Sequence, residues 1–151
     1  IRLLIELKYY GDDHLLAGET LNLVRRAGME EAVQIMSLDL KAVKQMQQLA
    51  PQMATGYVFA AGLGNLAQLD VAFLAVSTGQ ATSKLMREAH AKGLLVYAWT
   101  VNDVDGILHI LEVGIDGLIT DDSALAFKAI KDIRELSPVE RLMLRFRHLW
   151  D

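Results

Sequence analysis

Short apolar runs recur along the chain, each followed by a turn or an amphipathic segment, at roughly twenty to thirty residues per unit. Residues 1–8, 32–39, 55–60, 69–76, 94–101 and 116–121 read as strands. Residues 15–28, 40–49, 83–92, 104–113 and 124–136 carry apolar side chains at helical spacing. Several boundaries are marked: Gly28, Gly93 and Gly114 follow helices, and Pro51 stops one. Alternation of this kind implies parallel strands joined by right-handed crossovers. The strands are apolar on both faces, as expected where helices cover the outside. An open doubly wound sheet and a (β/α)8 barrel both fit this pattern. About six βα units are present; if the α/β fold is a TIM (β/α)8 barrel, its first two strands are expected before Ile1.

The first run, Ile1-Arg2-Leu3-Leu4-Ile5-Glu6-Leu7-Lys8, places two charges at the end of a buried strand. Side chains alternate, so Leu4, Glu6 and Lys8 share one face and Leu3, Ile5 and Leu7 the other. A charge removed from water is costly unless it is paired or binds an ion. Glu6 and Lys8 therefore either pair at a solvated strand end or serve a site. In a barrel, chemistry sits at the C-terminal ends of the strands. Here those ends carry Glu6, Lys8, Ser37, Asp39, Trp99, Asn102 and Asp121.

With 151 residues and 52% hydrophobic composition, the chain can bury one sizeable core and does not read as disordered. Net charge is −4 with both signs interspersed, so there is no basic footprint for nucleic acid. No cysteine is present, which removes disulfides, thiolate metal sites and a cysteine nucleophile. No apolar run approaches the roughly 20 residues of a membrane span. Gly62 and Gly64 lack the spacing of a phosphate-cradling motif and read as a plain loop. Residues 1–136 read as the barrel portion and 137–151 as a basic, amphipathic C-terminal helix. Ser137, Pro138 and Glu140 form its expected capping box. That helix packs on the barrel or meets an interface or partner.

Five segments together resemble the glycerophosphodiester phosphodiesterase family. They are Ile5-Glu6-Leu7-Lys8, Gln34-Ile35-Met36-Ser37-Leu38-Asp39, Ala89-His90-Ala91-Lys92-Gly93-Leu94, Ala98-Trp99-Thr100-Val101-Asn102 and Gly114-Ile115-Asp116-Gly117-Leu118-Ile119-Thr120-Asp121. The resemblance implies a TIM barrel that hydrolyses glycerophosphodiesters to an alcohol and glycerol phosphate, with calcium or magnesium as cofactor. It implies that Glu6 is a metal ligand, that Lys8 approaches the substrate phosphate, and that Trp99 walls the glycerol side of the pocket. The family's two catalytic histidines and remaining acidic ligands belong to segments expected upstream of Ile1. His14, His90, His109 and His148 do not replace them by position. The 151 residues alone are thus expected to be inactive. Leu38 and Ser123 depart from the commonest family pattern, and the Ser37-Leu38-Asp39 form resembles a branch with a membrane region ahead of the catalytic domain.

Two other readings are compatible with the residues: a different TIM-barrel enzyme for a phosphorylated small molecule, and a degenerate barrel serving as an interaction module. An incomplete barrel would also expose strand edges, so dimerisation or element swapping of the isolated chain is expected, with light scattering as its check.

Overall fold

A computed structural model describes residues 2–11, 15–59 and 69–145, and of Arg145 the backbone alone. Six parallel strands form one sheet: β1 (Leu3–Glu6), β2 (Val33–Ser37), β3 (Thr55–Phe59), β4 (Phe73–Ser77), β5 (Leu95–Trp99) and β6 (Gly117–Leu118). The helices are α1 (Leu16–Arg26), α2 (Leu40–Leu49), α3 (Ser83–His90), α4 (Val104–Val113), α5 (Ser123–Glu135) and α6 (Pro138–Arg145). Strand order follows chain order, from β1 to β6. A doubly wound sheet reverses its strand order at a switch point; the described strands contain no such reversal.

The sheet is curled. In a flat sheet β2 and β5 would lie about 14 Å apart, three inter-strand spacings. Yet the Tyr97 hydroxyl of β5 donates to Gln34 Oε1 of β2 at 3.4 Å. Leu4 of β1 likewise joins Trp99 and Ile119 around one concave cluster of Met36, Val58, Phe73 and Ala75. The described residues thus form part of a barrel wall, with its lumen filled by side chains.

Alternation along each strand assigns the two faces. Ile5 and Leu7 point outward, with Leu7 buried against the side of the sheet covered by α1 and α2. Val33, Ile35, Leu21 and Met46 complete that layer. Val76, Val96 and Ala98 pack outward against Leu85, Ile107, Ile110 and Ile133 of α3, α4 and α5.

Strand exits are turned into helix entries by capping side chains. Asp39 accepts from Lys41 N at 2.7 Å, Asp103 from Gly106 N at 2.7 Å, and Asp122 from Leu125 N at 2.9 Å. Each satisfies a helix N–H that has no intrahelical partner. Gly114 closes α4 at φ +81°, a left-handed conformation that a residue with a Cβ resists.

Some sequence boundaries shift. The run at 94–101 is paired as β5 over five residues, the same length as β2, β3 and β4. The run at 69–76 becomes a strand only from Phe73, and the run at 116–121 shortens to Gly117–Leu118. Backbone bonds to the β5 side persist around β6, from Asp116 N to the Val96 carbonyl and from Ile119 N to the Ala98 carbonyl. Side chains add to them: Asp116 Oδ2 accepts Val96 N at 2.8 Å, and Asn102 Oδ1 accepts Asp121 N at 3.0 Å. The Gly62 and Gly64 loop, Arg147 and Trp150 lie outside the described residues. No described helix is long and apolar enough to cross a membrane.

The capping box of α6 is present. Ser137 N donates to Glu140 Oε2 at 2.8 Å, and Glu140 N donates to Ser137 Oγ at 3.3 Å. The hydrogen bonds from Ser137, side chain first and backbone second, hold the Glu140 carboxyl below its ordinary pKa. Arg141 adds a clamp by donating to the carbonyls of Ile133 and Leu136 at the end of α5.

Two expectations follow from the packing and the cap. A Cβ built at Gly56 would overlap the Phe73 ring. Gly56→Ala should therefore cost about 1–3 kcal/mol by overpacking, and Phe73→Ala about 3–5 kcal/mol by opening a cavity, both read by urea unfolding. Because folding lowers the Glu140 pKa, its contribution is present above the ordinary carboxylate range and is lost as pH falls through the lowered value. Amide-exchange protection of α6 should drop below about pH 4 in the wild type and lose this pH dependence in Glu140→Gln.

Candidate functional site

The C-terminal ends of β1, β2, β3 and β5, with the segment after β6, open into a cleft of about 310 Å³. It is lined by Glu6, Lys8, Met36, Leu38, Val58, Trp99, Thr100 and Ile119. Register explains the set. Glu6 pairs with Met36 across β1 and β2, and each faces the lumen by alternation from Leu4 and Gln34. Val58 follows Gly56 by two, Trp99 follows Tyr97 by two, and Ile119 follows Gly117 by two.

Glu6 Oε2 and Lys8 Nζ lie 3.5 Å apart, with side chains 24% and 57% exposed. The pair is thus at the water-facing end of the strand. An ion pair this wet contributes little to stability, so both groups remain available to a ligand. Trp99 is held through its backbone, where its carbonyl accepts from Thr78 Oγ1 at 3.4 Å. Its indole Nε1 is buried and has no hydrogen-bond partner among the described residues.

The structure separates the other polar residues at the strand ends from this cleft. Ser37 is buried; its Oγ donates to the Leu7 carbonyl at 2.6 Å and accepts from Asp39 N at 3.0 Å. Asp39 caps α2. Asn102 donates to Asp121 Oδ2 at 2.7 Å and accepts from Thr120 Oγ1 at 3.1 Å, which ties the exits of β5 and β6 together. These groups hold loops. The histidines within the described residues lie on the helical layer. His90 Nε2 is 2.9 Å from Asp116 Oδ2, and His109 Nε2 is 3.2 Å from the Ala81 carbonyl. His14 and His148 lie outside the described residues.

Met36, Val58, Thr100 and Ile119 were not singled out as site residues by the sequence motifs. The two-residue period, anchored on Glu6 and carried across the parallel register, is the signal that finds three of them.

Chemically, the cleft offers one ammonium for an anion, one carboxylate, one hydroxyl and an apolar wall. A hard divalent cation takes about six to eight oxygen ligands, some of them water. Among the described residues no group of three or more His, Cys, Asp or Glu could hold a metal ion. Glu6 can supply one such oxygen, but the described residues do not by themselves fit a divalent ion.

The backbone is similar to solved structures at low identity. A Silicibacter pomeroyi protein assigned as a glycerophosphoryl diester phosphodiesterase superposes with TM-score 0.80 at 24% identity, over 88% of this chain and 51% of its own. A phosphodiesterase from Oleispira antarctica, solved with the product sn-glycerol-3-phosphate, superposes with TM-score 0.79 at 23% identity, over 87% of this chain and 56% of its own. A glycerophosphodiester phosphodiesterase from Parabacteroides distasonis gives TM-score 0.76 at 22% identity, over 87% and 56%. The chain thus spans a little over half the length of these structures, and the likeness establishes the fold. Comparison with curated protein sequences gives no match. The family model of the glycerophosphoryl diester phosphodiesterases matches residues 14–125. With most of its length matched, the chain belongs to the glycerophosphoryl diester phosphodiesterase family.

Proposed function

We propose that the full-length protein containing these residues hydrolyses glycerophosphodiesters to an alcohol and glycerol phosphate. The observation that carries this reading is the convergence of Glu6, Lys8 and Trp99 on one cleft at the C-terminal ends of parallel strands, in a chain of this family. The sn-glycerol-3-phosphate in the Oleispira antarctica structure supports a small phosphate-bearing ligand for such a fold.

In this reading the Lys8 ammonium binds a phosphoryl oxygen as a point charge. The Glu6 carboxylate, 3.5 Å away, holds that ammonium over the cleft. The Trp99 ring provides a flat apolar wall for the carbon side of the substrate. Glu6 is also the residue here that would contribute an oxygen to a divalent cation, calcium or magnesium; the remaining ligands would come from outside the described residues. The cleft contains no histidine among the described residues, so it has no imidazole to move a proton to the leaving alcohol. The 151 residues alone are accordingly proposed to be inactive.

Two measurements test this. Release of choline from glycerophosphocholine should occur with the full-length protein and stay at background with the 151-residue chain. In the full-length protein, Lys8→Ala should raise KM roughly tenfold or more, the worth of a hydrogen bond to a charged group. A full-length protein that hydrolyses no glycerophosphodiester in either calcium or magnesium would sink the proposal. Calcium titration tests the metal role separately: binding by the isolated chain should be about millimolar or weaker, and in the full-length protein Glu6→Gln should weaken it by roughly tenfold or more.

A further inference from the structure

The β1–β2 ladder ends at the pair Glu6–Met36. Glu6 is therefore fixed by regular pairing, whereas Lys8 stands two residues beyond it. Leu7 carries the hold across that gap. Its side chain is buried in the layer beneath α1 and α2. Its N–H donates to the Met36 carbonyl at 2.8 Å, and its carbonyl accepts from Ser37 Oγ at 2.6 Å. Ser37 is 1% exposed, and its Oγ accepts from the N–H of Asp39, the N-cap of α2, at 3.0 Å. One hydroxyl thus uses its donor and an acceptor lone pair to join the exit of β1 to the turn between β2 and α2. On the far side of Lys8, the Tyr9 hydroxyl donates to Gln45 Oε1 of α2 at 2.7 Å. Both neighbours of Lys8 are tied to the β2–α2 unit, and the Ser37 hydroxyl grips the peptide that leads into it.

We infer that Ser37 is a positioning residue for phosphate binding, acting through Lys8. Ser37 stands behind the cleft and not in its wall. The inference rests on the proposed phosphodiester reading and adds a residue that does not touch substrate. Lysine has a long, flexible stem, so the place of its ammonium depends on where its backbone is held. In Ser37→Ala the Leu7 carbonyl and the Asp39 N–H both lose this partner. A buried carbonyl left without its donor is costly, and the Leu7–Lys8 peptide turns to find another. The ammonium then leaves its place beside Glu6, while Glu6 stays in register with Met36.

The test is a double-mutant cycle of Ser37→Ala and Lys8→Ala in the full-length protein, read as choline release from glycerophosphocholine. Ser37→Ala alone should raise KM about three- to tenfold, the worth of one hydrogen bond, and keep kcat within about twofold. In the Lys8→Ala background it should raise KM by less than about twofold, because the group it positions is gone. A residue that only stabilises the fold would lower the active fraction, and so the apparent kcat, and leave KM alone in both backgrounds. Ser37→Cys, of similar shape but a weaker donor, serves if Ser37→Ala folds poorly and should show the same coupling to Lys8. A rise in KM that is equal in both backgrounds, or absent from both, overturns the inference and leaves the phosphodiesterase reading standing. No choline from the unsubstituted full-length protein overturns both.

Discussion

Curvature of the parallel sheet is the constraint on which the site depends, and it is held from the concave side. Phe73 of β4 lies in the space that a side chain at Gly56 of β3 would occupy, and its ring stacks on Tyr97 of β5 with centroids 4.9 Å apart. On the other flank a Cβ at Gly117 of β6 would come within 2.9 Å of Tyr97. Large rings on two strands therefore fit against glycines on the flanking strands. Interdigitation of this kind fills a curved wall without voids. The same curl brings the exits of β1 and β5 onto one cleft, so Glu6, Lys8 and Trp99 meet although more than ninety residues separate the first from the last.

At the strand exits two kinds of polar residue coexist, and only geometry separates them. Asp39, Asp103 and Asp122 accept helix N–H groups, and Asn102 joins the loops after β5 and β6. They stabilise the rim by satisfying backbone donors that packing leaves unpaired. Among the described residues, Glu6 and Lys8 pair with one another at the edge of water and are not engaged as helix caps. A carboxylate and an ammonium held side by side at a lumen-facing strand end are available to a ligand, whereas the capping aspartates are already engaged. The same separation applies to the histidines, since His90 contacts Asp116 and His109 contacts the Ala81 carbonyl.

Much of this was legible in the residues. Alternation of apolar runs with amphipathic segments yields the parallel α/β architecture, because each pattern buries its apolar face in only one way. The two-residue period put Glu6 and Lys8 on the same face as Leu4, and the structure places Leu4 in the concave cluster and the two charges in the cleft. The Ser137–Glu140 capping box is a local pattern and was readable as such. The boundary at 116–121 was less legible, since side chains of Asp116 and Asn102 bond backbone N–H groups beside it.

The sequence by itself determined the elements, their parallel direction and the facing of each strand residue, because these follow from local periodicity and backbone stereochemistry. Only the tertiary structure decided which strand ends converge and that Ser37, Asp39 and Asn102 hold loops. The physical reason is that curvature arises from fitting Phe73 and Tyr97 against glycines on neighbouring strands, a non-local contact that periodicity along any single strand does not encode.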